Sequence, residues 1–250
     1  MASGAQVASS PFAHSSRFRV SLDPGPDIHM ASVNELVGGL MTRLVAQTSR
    51  LLFTAGLVIT VAGFAWWSDS HNAALSNAWR NALGFSSLSL VELRWHQTLT
   101  SLVLTAGEFQ FVQSVLMICI AVGMCEWRFG SCTTAWIFFT SHLIVTVGLA
   151  LFIVLPWHLA GASWATVLAA ERDVGPSAGY YGCLGAVFAH RNSSVRTCLM
   201  VAIAAVLIGR LALSVPSMHL HPATVSADLS HLAAFPFGLL IASRWIPVTN

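Results

Sequence analysis

Lysine is absent from this chain of 250 residues, and all twelve cations are arginine. That preference carries no functional implication, but the scarcity of charge does. Only 9% of residues are charged, against about 25% in soluble domains, so a water-facing surface cannot be covered. With 55% hydrophobic residues and a mean hydropathy of +0.70, an integral membrane protein is expected. A net charge of +2 lacks the basic footprint of nucleic-acid binding. The five cysteines (Cys119, Cys125, Cys132, Cys183, Cys198) form no C-x-x-C, and their spacing suits neither a zinc site nor a disulfide framework. They read as small apolar packing residues. Residues 1–30 lack a basic start followed by an apolar run, so no cleavable signal peptide is expected. There is no internal repeat, no H-E-x-x-H for a zinc protease, and no pair of aspartates inside apolar stretches for an aspartyl mechanism. A G-x-S-x-G string at 175–179 matches the elbow of soluble hydrolases, but that elbow needs a preceding strand and an alternating βα chain, which this pattern lacks.

What is present is a series of long apolar runs. A spanning helix takes about 20 such residues, with about 17 as a lower limit. Candidate spans are 51–67, 109–125, 132–155, 177–189, 197–215 and 229–246. The fourth is short and glycine-rich, as suits a helix inside a bundle. The predicted fold class is all-α, a polytopic bundle of six transmembrane helices. Residues 1–47 are expected to be a cytoplasmic N-terminal tail, polar over 1–30. Its later part carries Leu36, Val37, Leu40, Leu44 and Val45 on one face of an interfacial amphipathic helix. Residues 48–250 form the six-span membrane domain. Arg43, Arg50, Arg128, Arg191, Arg196 and Arg244 flank spans on one side, which predicts both termini in the cytoplasm. The long loop 68–108, with Trp79 and Trp95, then lies outside.

Polar residues at membrane depth are the candidates for chemistry. Ser177 follows a Gly-Pro step at a helix start, with Tyr181 and Gly185 four and eight residues on, on its face. Serine is a favoured N-cap, but serine, ring and close-approach glycine on one face point to a site. His231 is ionisable within the sixth span, a functional candidate by position, and Ala234 and Gly238 share its face. If the fourth and sixth spans pack through Gly182, Gly185, Ala234 and Gly238, His231 reaches Ser177 and takes its proton as general base. No acid is evidently placed to orient the imidazole. Asp228 reads as a cap or mouth residue, so the expectation is a dyad, with Tyr181 holding the ring by stacking. His142 reads as a packing histidine. His219 and His221 form an H-x-H pair without the carboxylates or cysteines of a metal site. A transporter or channel would line one path with polar groups, and the spans have few.

This arrangement resembles the rhomboid family of intramembrane serine proteases, from about His96 to the end of the sixth span. The family's Gly-x-Ser-Gly is met as Gly175-Pro176-Ser177, with Ala178 in place of the second glycine. Its tyrosine and glycine after the serine match Tyr181 and Gly185. Its His-x-x-Gly-x-x-x-Gly is met as His231, Ala234 and Gly238, and its Glu-x-Arg-x-Gly by Glu126, Arg128 and Gly130. The resemblance implies a Ser177–His231 dyad that cleaves single-span membrane proteins near the outer face of a bacterial plasma membrane, without cofactor or metal. Tyr181, Gly175, Gly185, Ala234 and Gly238 would support the dyad and its helix packing, and Glu126, Arg128 and Gly130 the structure. Its partners would be transmembrane substrates and the lipid bilayer, not nucleic acid. The family's oxyanion-hole histidine and asparagine fall on Gln110 and Ser114 here, and its tryptophan-arginine pair on His96-Gln97. Losing one oxyanion donor costs about 2.7–4 kcal/mol. The alternative expectation is therefore a weak or inactive rhomboid-like protein that binds transmembrane helices.

Overall fold

A computed structural model describes residues 51–189 and 193–245, all within the compact unit Val45–Asn250. The tail, the amphipathic stretch 33–50 and the boundary at 47 lie outside the described residues. The described chain is helical, and its one strand-like feature is an isolated antiparallel bridge between Phe85 and Asp173. In chain order the helices are α1 (Leu52–Trp67), α2 (Asn77–Leu83), α3 (Ser87–Val91), α4 (His96–Thr100), α5 (Glu108–Phe129) and α6 (Ser131–Leu159). They continue as α7 (Ser163–Ala170), α8 (Ser177–Val187), α9 (Ser194–Ser214) and α10 (Pro222–Trp245). One π-helical turn interrupts α5 at Ile118–Val122, and another interrupts α6 at Ala150–Val154.

Four of these helices, α5, α6, α9 and α10, are long and apolar enough to cross a membrane, so the chain is a helical membrane protein. The other two expected spans are helical but short, with 16 residues in α1 and 11 in α8. At about 1.5 Å rise per residue, α8 extends little more than half the hydrocarbon thickness. Its surroundings explain how it can be so short. Eight of its residues are buried, among them Gly179, Tyr181, Gly182 and Gly185. The last span begins earlier than expected, at Pro222 rather than 229, so Asp228 sits inside the helix and not at its mouth.

Glycines set how closely α8 is held. A β-carbon on Gly179 would overlap the Phe138 ring of α6, and one on Gly182 would overlap Ser141. On the other side, a β-carbon on Gly185 would fall 2.0 Å from the Phe235 carbonyl oxygen, and one on Gly238 1.8 Å from that of Gly182. Backbone meets backbone there, the packing small residues permit within membranes. The expected contact between the fourth and sixth spans is present.

The Glu-x-Arg-x-Gly stretch closes the opposite end. The Glu126 carboxylate accepts from the N–H groups of Phe53 and Thr54 (2.8 and 2.7 Å), from the Thr54 hydroxyl (2.6 Å) and from the Ser131 hydroxyl (2.5 Å). Free N–H groups at a helix start need acceptors, and one carboxylate serves those of α1 while holding the start of α6. Arg128 donates from Nη1 to the Val187 carbonyl at the end of α8 (2.5 Å). Gly130, at φ 79°, makes the turn between α5 and α6 in a region unfavourable to side chains.

Candidate active site

Ser177 opens α8 directly after a loop clamped from three directions. The Phe85 N–H donates to the Asp173 carbonyl (3.0 Å) and the Asp173 N–H to that of Phe85 (2.7 Å). The Gln110 amide donates to the Val174 carbonyl (3.1 Å), and the Gly175 N–H donates to the Ser101 carbonyl (2.8 Å). Gly175 has φ 131°, where a side chain is strained, and a β-carbon there would lie 3.1 Å from Gln110 Nε2. Pro176 then accepts the first helical hydrogen bond, from Tyr180. Ser177 is half-buried, its position set by this backbone.

His231 is 5% exposed and lies two turns into α10. The Tyr181 ring lies against it, 4.3 Å between centroids and tilted by 31° between planes. Ala234, one turn on, is fully buried. Neither ring nitrogen has a hydrogen-bond partner among the described residues, so Ser177 and His231 are not hydrogen-bonded in this state. Resting catalytic pairs are commonly long and tighten only with substrate.

Two positions differ from expectation. Asp228 is neither cap nor mouth residue: it is 2% exposed, with Oδ1 2.9 Å from Arg210 Nη2 of α9 and 3.9 Å from His231 Nδ1. The spacing of three along the helix carried that signal, but the assumed helix start at 229 excluded it. Gln110, the residue expected at the oxyanion hole, lies beside Gly175. Both ends of its amide are engaged, however, the oxygen by the Ala106 N–H and the nitrogen by Val174. One N–H of the amide remains. Ser114 is buried one turn further along α5.

Gln97, read from the sequence only as a departure from the family's tryptophan-arginine pair, has a structural role of its own. It is 1% exposed and organises the segment beside the site. Its amide donates to the Asn81 and Ala82 carbonyls, and its oxygen accepts from Ser89 (2.6 Å) and Arg172 (3.1 Å). Arg172 also reaches the Gly84 carbonyl, which ties this segment to the loop before Ser177. His142 donates from Nε2 to the Thr98 carbonyl (2.9 Å), a packing histidine as expected.

A narrow cavity of about 30 Å³, the volume of one water, lies between Ser86, Ser87, Thr146, Asp173, Ser226 and Ser230. Loss of hydration pushes the half-buried Asp173 carboxyl up to about 7. Among the described residues no group of three or more His, Cys, Asp or Glu side chains stands close enough to hold a metal. Comparison with protein-family models, curated proteins and solved structures finds no match to this chain.

Proposed function

We propose that this protein is a rhomboid-type intramembrane serine protease, a bundle of six crossing helices with α1 and the sheltered α8 counted among them. Both termini would face the cytoplasm of a bacterial plasma membrane. Single-span membrane proteins, unwound near the outer face, would be the substrates, because a regular helix keeps its carbonyls in its own hydrogen bonds. Ser177 attacks the carbonyl, and His231 takes the hydroxyl proton and returns it to the leaving amine. The Ser177 N–H, the free N–H of Gln110 and the Ser114 hydroxyl are the oxyanion candidates.

The single observation that carries this reading is the backbone contact of Gly238 with Gly182, which sets His231 of α10 against Tyr181, one turn below Ser177. A scaffold that only binds helices has no need of a serine and a buried histidine around one such contact. The engaged Gln110 amide favours the second reading, a rhomboid-like protein that binds transmembrane helices without cutting them.

The test uses purified protein in lipid vesicles with a fluorescent serine-directed phosphonate. Wild type is expected to label, while Ser177→Ala and His231→Ala fall to background. A folded wild type that stays unlabelled across several phosphonates decides for the helix-binding reading.

A further inference from the structure

The Ser177–His231 pair has a buried charge behind it. Asp228 lies on the same face of α10 as His231, three residues before it, and faces the ring's Nδ1 edge at 3.9 Å. Tyr181 lies against the face of the ring, and Arg210 stands behind the carboxylate. Among the described residues, both ring nitrogens and Asp228 Oδ1 lack a hydrogen bond of good geometry. Buried polar atoms seldom go unpaired, so a donor and an acceptor are left facing each other across a gap about 1 Å longer than a hydrogen bond.

Arg210 pairs with that carboxylate at 2.9 Å. Its helix, α9, buries only Leu207 and Ser214, so the guanidinium stands on the bundle's exterior, 42% exposed, reaching inward to a side chain 2% exposed. An arginine placed there is costly without a partner, and Asp228 is the partner.

We infer that Asp228 is a positioning residue for His231: its carboxylate, held by Arg210, accepts the Nδ1–H and leaves Nε2 free for the Ser177 hydroxyl. When His231 takes the serine proton on Nε2, the ring becomes a cation with its Nδ1–H already facing a negative charge. The catalytic meaning rests on the protease reading, but the contact itself is measurable without it. If the Arg210–Asp228 pair serves only to join α9 to α10, it has no effect on which ring nitrogen carries the proton.

The experiment is ¹⁵N NMR of histidine-labelled protein in detergent, with the His231 signal assigned by its loss in His231→Gln. The expected result is a neutral ring protonated on Nδ1 in wild type, shifting to a mixture of both tautomers in Asp228→Asn. Phosphonate labelling of Ser177 in the same variant should fall about tenfold or more, short of the ~10⁴ lost when a fully hydrogen-bonded triad loses its aspartate. A wild-type ring protonated on Nε2, or a tautomer unchanged in Asp228→Asn, overturns the inference. The wild-type measurement needs no variant to fold. An Nδ1-protonated ring in a protein that never labels sinks the protease reading and leaves the contact standing. Full-rate labelling of Asp228→Asn with an unchanged tautomer does the reverse.

Discussion

Helices α8 and α9 are consecutive, apolar and built from the same few residue types, yet they occupy opposite environments. Helix α8 has 11 residues, of which eight are buried, and its glycines admit neighbouring backbone on both sides. Helix α9 has 21 residues and buries two, and a β-carbon on its Gly209 would meet open space. A helix facing lipid must be long, because each exposed end leaves peptide groups in hydrocarbon. A helix enclosed by other helices is spared that requirement and can end at membrane depth, where its first residue is reachable from the loop above. The candidate nucleophile sits on the sheltered helix, and the exposed one supplies Arg210 behind the histidine.

Glycine substitution breaks this comparison most sharply. Gly238→Val places side-chain atoms inside the Gly182 carbonyl, and neither backbone can retreat. The cost should exceed the ~1–3 kcal/mol of ordinary overpacking, with no folded monomer recovered by size exclusion in detergent. Next in size is Glu126→Ala, which strips three donors of α1 and the Ser131 hydroxyl of their acceptor. Each buried donor left unpaired costs about 1–3 kcal/mol, so a large drop in thermal midpoint is expected while Ser177 stays in place on α8.

A smaller effect tests the loop that feeds α8. The Asp173 carboxyl has its pKa raised from 3.8 to about 7, so the folded state binds more protons than the unfolded one between those values. Stability from this group is therefore greatest below pH 3.8 and is lost as pH rises from there to about 7. Asp173→Asn should raise the thermal midpoint at pH 8 and leave it nearly unchanged at about pH 3.5, and equal shifts at both would refute the assignment. Smallest is Gly209→Ala on α9. With no neighbour to meet, it should be neutral or stabilising by up to about 1 kcal/mol through helix propensity. A marked loss there would show that α9 is covered by something the described residues do not include.

Much of this was legible from residues alone. Hydropathy located the long helices, because a helix facing lipid cannot hide polar side chains. The spacing of Gly182, Gly185, Ala234 and Gly238 foretold the packing of α8 on α10, since small residues three or four apart share a face. Tyr181 beside His231 follows from the same periodicity. The start of α10 did not, because residues 222–228 are too polar to count in a hydropathy window, and Asp228 was misplaced with it. The role of Gln97 was equally hidden, since its four partners lie between 8 and 75 positions away.

The sequence by itself therefore determined that this is a helical membrane protein and which residues share a helical face. Those properties depend on local composition and on a period of 3.6 residues. Only the tertiary structure decided that α8 is sheltered, that Glu126 caps a helix 72 residues earlier, and that Arg210 and Asp228 stand behind His231. Those are meetings of distant segments, governed by burial and by the need of every enclosed polar group for a partner.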